Sequence, residues 1–166
     1  MIIMAGTIKK YTFDYEEYDS IDDLPEADAN LVIEARKATE IAYAPYSNFL
    51  VGAFAVLNSG EFVKGSNQEN ASYPVGVCAE RALLASLGQL FPNASIASMA
   101  ISYNNLNGES KRPLSPCGMC RQALQEYEER VHQPIRLLLS GMEGKVFIIN
   151  KSNNLLPFSF SGDDLK

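Results

Sequence analysis

With 166 residues, 46% of them hydrophobic and 20% charged, the chain has the size and composition of one globular domain with a single substantial core. Its longest apolar run, Leu50 to Leu57, is far below the roughly 20 residues that a membrane-spanning helix needs. The net charge of −6 is confined to the first thirty positions, which hold eight acids and two lysines, while positions 31–166 balance twelve acids against twelve scattered bases, leaving no basic stripe to grip a nucleic-acid backbone.

The opening "MIIMAGTIKK" has neither the basic region nor the long apolar core of a secretory leader. Residues 1–30 read as an acidic N-terminal extension. Within it "YTFDY" alternates Tyr11, Phe13 and Tyr15, which predicts an edge strand, and the acidic run behind it reads as a solvated linker. Apolar and alanine spacing predicts a helix from Asp28 to about Tyr43, closed by the turn residues "APYS" at Ala44 to Ser47. "LVGAFAVL" and "EFVKGS" flank "NSG", a hairpin signal. A helix is predicted over 78–90, a strand over 95–103, and a further helix from Pro116 or Cys117 to Val131. Strands over 134–141 and 145–150 follow, and the tail "LLPFSFSGDDLK" closes the chain. This order, α-β-β-α-β-α-β-β, describes a mixed sheet with helices on its faces.

The chain has three cysteines, Cys78, Cys117 and Cys120. An odd count with two of them three apart makes a poor disulfide framework. It fits a reducing cytosol in which thiols are kept for metal or chemistry. A Cys-x-x-Cys pair alone admits a redox couple, half of a structural zinc knuckle, or part of a catalytic metal site. Both cysteine clusters fall at predicted helix N-termini, where free amides and the helix dipole lower thiol pKa values. If those two ends meet, three thiolates form a donor set suited to zinc. The one histidine, His132, stands twelve residues beyond Cys120 on the same helix, about 18 Å away at helical rise, and cannot supply a fourth ligand. Three protein ligands leave one position for water, as in catalytic zinc; a closed structural site would need a fourth cysteine from another chain. Glu80, in the first turn after Cys78, is a favourable charge at a helix start or, beside an open metal, a proton acceptor. A thioredoxin-like pair would account for neither Cys78 nor Glu80.

"CAE" at Cys78 to Glu80, followed by "PCGMC" at Pro116 to Cys120, resembles the signature of the zinc-dependent nucleoside deaminases. More narrowly, the chain resembles the short, three-cysteine cytidine deaminases. "APYSNFLVGA", "GSNQENASYPVGVCAER", "SPCGMCRQAL" and "LLPFSF" match that family's blocks in order, across roughly residues 31–166. Leu50, Phe54 and Met119 depart from its pattern; Phe54 reads as strand core and Met119 as packing.

The resemblance implies a three-layer α/β/α fold with a mixed five-stranded sheet and a catalytic domain over 31–166. It implies hydrolytic deamination of cytidine, and of 2′-deoxycytidine, with release of ammonia in cytoplasmic pyrimidine salvage. One Zn2+ per chain would sit on Cys78, Cys117 and Cys120, and Glu80 would shuttle the protons. Asn67 and Glu69 would hold the 3′-hydroxyl, Phe49 would line the pyrimidine, and main-chain groups at Ala79 and Ser115 would read the base edge. Tyr73 and Phe160 would complete a neighbouring subunit's pocket in a homotetramer. The substrate is then a small nucleoside, with neither nucleic acid nor membrane as partner.

Three thiolates with Zn2+ sum to −1, and two cations follow the site residues directly: Arg81 after Glu80 and Arg121 after Cys120. Both are expected to donate to the cysteine sulfurs. Taken alone, these could be solvent-facing arginines, "NQE" a polar turn and Phe49 a core aromatic. The rival functions are a relative acting on a modified cytosine nucleoside, a nucleic-acid binder, and a non-catalytic zinc module.

Overall fold

Strand residues alternate between the two faces of a sheet, and in β2, Phe49–Leu57, that alternation separates two cores. Ala53, Ala55 and Leu57 join one buried cluster and Phe54 the other. The same division runs through β4 (Ile96–Asn105), β5 (Arg136–Leu139) and β6 (Val146–Ile149). Met99, Ile101, Leu137, Leu139 and Ile149 fall on the first side, and Ala100, Leu138 and Ile148 on the second. Helix α1, Glu26–Ala38, covers the second side with Leu31, Val32 and Ala35. Helices α2, Ala79–Leu90, and α3, Gly118–Val131, cover the first with Leu83, Leu87, Leu124 and Tyr127. The result is the expected three-layer α/β/α arrangement. The computed structural model describes residues 6–166; the first five positions, where the extension and the stretch read for a leader begin, lie outside the described residues.

The sheet runs in the order β1-β6-β5-β4-β2-β3, with β1 at Glu16–Tyr18 and β3 at Phe62–Ser66. Only β4 and β5 pair in parallel, so the sheet is mixed, and α3 is the crossover between them. Gly60 turns the β2–β3 hairpin at φ +97, a conformation that favours glycine.

Four expectations are corrected. The sheet has six strands rather than five, because Glu16–Tyr18 adds antiparallel to β6 at the edge. That edge strand is not "YTFDY": Tyr11 and Tyr15 use their rings, against Phe158 and Phe147, instead of a backbone ladder. Nor is the acidic run a free linker. Ser20 and Asp23 form a capping box on a short 3-10 turn at Ile21–Asp23, and Leu24 is buried under α1. Finally, α1 stops at Ala38 rather than near Tyr43. Thr39 Oγ1 donates to the Arg36 carbonyl at 2.7 Å, and the chain tightens into a 3-10 turn at Thr39–Ile41.

Candidate active site

The two helices of the first face present their N-terminal ends to each other. Cys78 and Cys117 are the N-cap residues of α2 and α3, both extended, with ψ of 156° and 171°. Neither cap uses a side-chain hydrogen bond, so the first-turn amides keep their positive field for the sulfurs. Cys120 lies one turn into α3. Its Sγ is 3.4 Å from that of Cys117, which is 3.8 Å from that of Cys78, and all three lie within 4.8 Å of one another. Ligands about 2.3 Å from a tetrahedral zinc stand about 3.8 Å apart, so this triangle of sulfurs fits one zinc ion. Among the described residues it is the one such group of histidines, cysteines or carboxylates. His132 caps the far end of α3, at φ +52, and takes no part.

Electrostatics within the cluster are uneven. Donation from the Cys120 thiol lowers Cys78 to about 6. The same contact pushes Cys120 up, and burial adds to it. Glu80 is 4% exposed, and burial raises its carboxyl above the usual range. Its own backbone amide and the Cys120 thiol pull the other way.

A cavity of about 480 Å³ opens beside Cys78, lined by Tyr46, Ser47, Asn67, Glu69, Tyr73 and Met119 among others, within the usual span for small-molecule sites of about 300–1,000 Å³. Its "NQE" wall is held by the backbone. Gln68 bridges both Tyr43 and Val77, and this fixes the segment next to Cys78. The Asn67 amide is anchored to β2: Oδ1 accepts from Val51 N–H at 2.7 Å and Nδ2 donates to the Phe49 carbonyl at 2.9 Å. Glu69 Oε2 accepts from the amides of Tyr46 and Ser47. The Ser47 hydroxyl, with those amides, holds its carboxyl below the usual range.

Asn67, Glu69, Tyr73 and Cys78 thus share one cavity. The remaining candidates are not part of that lining. Phe49 stacks on Tyr103, with ring centroids 4.8 Å apart. Ala79 is buried under Gly65, Ser115 is exposed ahead of the Cys117 cap, and Phe160 is exposed in the tail. Arg81 is half-buried, and its charge helps to lower Cys78. Arg121 spends its donors on main chain, Nε on the Pro116 carbonyl and Nη1 on that of Leu155, both at 2.9 Å. It therefore ties the cysteine loop to the tail. Phe54 is strand core, 7% exposed and stacked on Phe62. Met119 is not packing: it is 62% exposed on the cavity wall. Tyr46, Ser47 and Met119 were missed as cavity residues. The turn residues "PYSN", with Asn48 at φ +56, were the one available signal.

A family model described as the cytidine and deoxycytidylate deaminase zinc-binding region matches residues 25–133, an interval that contains all three cysteines and Glu80. The chain belongs to this family. Its relatives include the cytidine deaminase of Halalkalibacterium halodurans, 36% identical over 135 residues, which cover 81% of this chain and 95% of that one. The cytidine deaminase of Mycobacterium tuberculosis is 34% identical over 146 residues, covering 86% and 96%. The crystal structure of cytidine deaminase from Burkholderia pseudomallei superposes with a TM-score of 0.69 at 36% identity, covering 82% of this chain and 100% of that one. Zinc binding in the family agrees with the sulfur triangle. The family interval begins at Pro25, just ahead of α1 and after the edge strand β1. Among the described residues no helix is long and apolar enough to cross a membrane.

Proposed function

We propose that this chain is a zinc-dependent hydrolase that converts cytidine to uridine and ammonia. One observation carries the reading: three sulfurs stand within 4.8 Å of one another, one of them lines a cavity sized for a nucleoside, and the buried carboxyl of Glu80 follows it by two residues. Cys78, Cys117 and Cys120 hold the metal. When bound, zinc supplies water of lowered pKa for addition at C4 of the base.

Glu80 takes up the water proton, hands it to ring N3, and helps to protonate the departing ammonia. Its burial suits that work, because a carboxyl shifted upward takes up a proton more readily than an ordinary carboxylate and so carries it nearer neutral pH. Asn67 and Glu69 hold the sugar through the 3′-hydroxyl. Glu69 keeps Oε1 for this, since the Tyr46 and Ser47 amides occupy Oε2. The grip leaves the 2′ position untouched, so 2′-deoxycytidine is a second substrate. Phe49 backs the pyrimidine side, and main-chain groups at Ala79 and Ser115 read the base edge. Arg81 offsets the charge of the thiolates through its field at Cys78, while Arg121, expected to donate to the sulfurs, holds the cysteine loop to the tail instead.

The reading extends to a homotetramer in which Tyr73 and Phe160 complete a neighbour's cavity, Tyr73 while also lining that of its own chain. Its support is that both rings are exposed on the single chain, at 78% and 59%. The reaction belongs to pyrimidine salvage in the cytoplasm, which accords with three free thiols and no disulfide among the described residues. Residues 31–166 form the catalytic domain and 1–30 the extension.

The test is to incubate purified protein with cytidine and follow the loss of ultraviolet absorbance as uridine forms. Turnover should stop on adding a strong chelator and return with Zn2+. A zinc-loaded protein that leaves cytidine unchanged overturns the reading.

A further inference from the structure

The lining of the cavity beside the sulfurs is chemically mixed. Glu69, held by the Tyr46 and Ser47 amides, and Asn67 are polar, while Cys78 and Met119 bring sulfur to it. Met119 sits between Gly118 and Cys120 in the first turn of α3, so its Cα is about 3.8 Å from that of a sulfur ligand. It belongs to neither buried cluster of the fold. A long, polarisable, flexible side chain placed this way fills an irregular gap and adapts to what lies against it.

On the deamination reading above, C4 of the base stands at the sulfurs. The two ring atoms bonded to C4 are N3 and C5. N3 turns toward Glu80, which is buried and contributes nothing to the cavity wall. C5 lies on the other side of C4 and turns to the cavity wall, on which Met119 is the one long, flexible apolar side chain. A group carried on C5 would compete with this thioether for the cavity.

We propose that Met119 sets which C5 substituents the site accepts. The proposal rests on the deamination reading. Its test measures kcat/KM for cytidine, 5-methylcytidine and 5-iodocytidine with the zinc-loaded wild type, Met119→Ala and Met119→Leu. Met119→Ala raises the ratio of 5-substituted substrate to cytidine by about tenfold or more, the scale on which a pocket discriminates one methylene. Met119→Leu, close in volume, keeps the wild-type ratio. Folding is not at risk, because alanine is the better helix former at an exposed helical position. Equal ratios in all three proteins overturn the proposal. So does an equal loss for every substrate accompanied by a change in oligomeric mass, which makes Met119 a subunit contact. Wild-type protein inactive on cytidine is a distinct result, and it removes the deamination reading itself.

Discussion

Glu80 is a carboxyl with almost no solvent, raised by burial and reached by a cysteine thiol. Burying such a group costs stability, so its place beside a metal-ligand triangle points to chemistry. Glu80→Ala should fold, carry about one zinc per chain by metal analysis, and lose about 10²–10⁴ in kcat, the usual share of a general acid–base group. A mutant with wild-type turnover would reduce the cluster to a structural zinc site. Arg81→Gln should keep the metal and slow turnover, since the guanidinium field favours thiolate at Cys78; an unchanged kcat would end that role. The ligands and Glu80 were legible because each sits within three residues of a helix start, where spacing alone fixes geometry. Arg121 was not. Its partner carbonyl, on Leu155, lies 34 residues along the chain, and no local pattern encodes that contact. The exposure of Met119 and Tyr46 was hidden for the same reason, since a side chain's solvent depends on what the rest of the fold leaves uncovered.

Elements deliver these residues to the site through close backbone contacts. A Cβ on Gly65 of β3 would meet the Ala79 carbonyl and come within 2.5 Å of Leu83 N, both on the backbone of α2. Glycine there lets the helix that carries Cys78 and Glu80 lie directly on the strand. Gly65→Ala must push α2 outward, so it should cost about 1–3 kcal/mol in denaturant unfolding and also weaken zinc retention against a chelator. Gly52→Ala provides the comparison. Its Cβ would meet the Ala35 carbonyl and Thr39 N, at 2.6 Å, of α1 and the turn after it on the opposite face. It should cost similar stability but leave zinc retention nearer to wild type. Equal zinc loss in both would mean that general destabilisation, not the α2 position, governs the metal. The central elements were readable because "LVGAFAVL" and the β4 to β6 segments are largely apolar runs bounded by turn residues, the pattern of strands covered on both faces. Strand β1 was not, since "EEY" has little strand propensity of its own. Its place comes from β6: Glu16, Glu17 and Tyr18 pair with Ile148, Phe147 and Val146, and Lys145 forms an ion pair with Glu17.

At the scale of the whole molecule, the acidic extension and the assembly are separable questions. If Tyr73 and Phe160 each serve a neighbour's cavity, purified protein should sediment at about four times the 18.2 kDa of one chain. A monomer with full turnover would remove Phe160 from the site and leave Tyr73 only the cavity of its own chain. The extension acts at the opposite sheet edge from β3, as β1 covers β6 and Tyr11 bonds Asn154 of the tail. Its anchorage continues into α1, where Asp28 and Arg136 form a two-pronged ion pair at 2.6 and 2.8 Å. This pair ties α1 to β5 and would survive removal of the strand. A chain lacking residues 1–18 should therefore keep one zinc and turn over cytidine to within about threefold of the full chain, yet melt lower. For a chain of this size each kcal/mol lost corresponds to about 2–4 °C, and a three-residue edge strand with exposed charge pairs stands near that scale. The bared β6 edge should also make the shortened protein associate at high concentration, because unpaired strand edges template pairing. Light scattering and a melting curve on the same sample decide it. An unchanged melt with no association would show that the extension contributes nothing to the fold, and a lost zinc ion would show that it reaches the metal centre through the tail and Arg121.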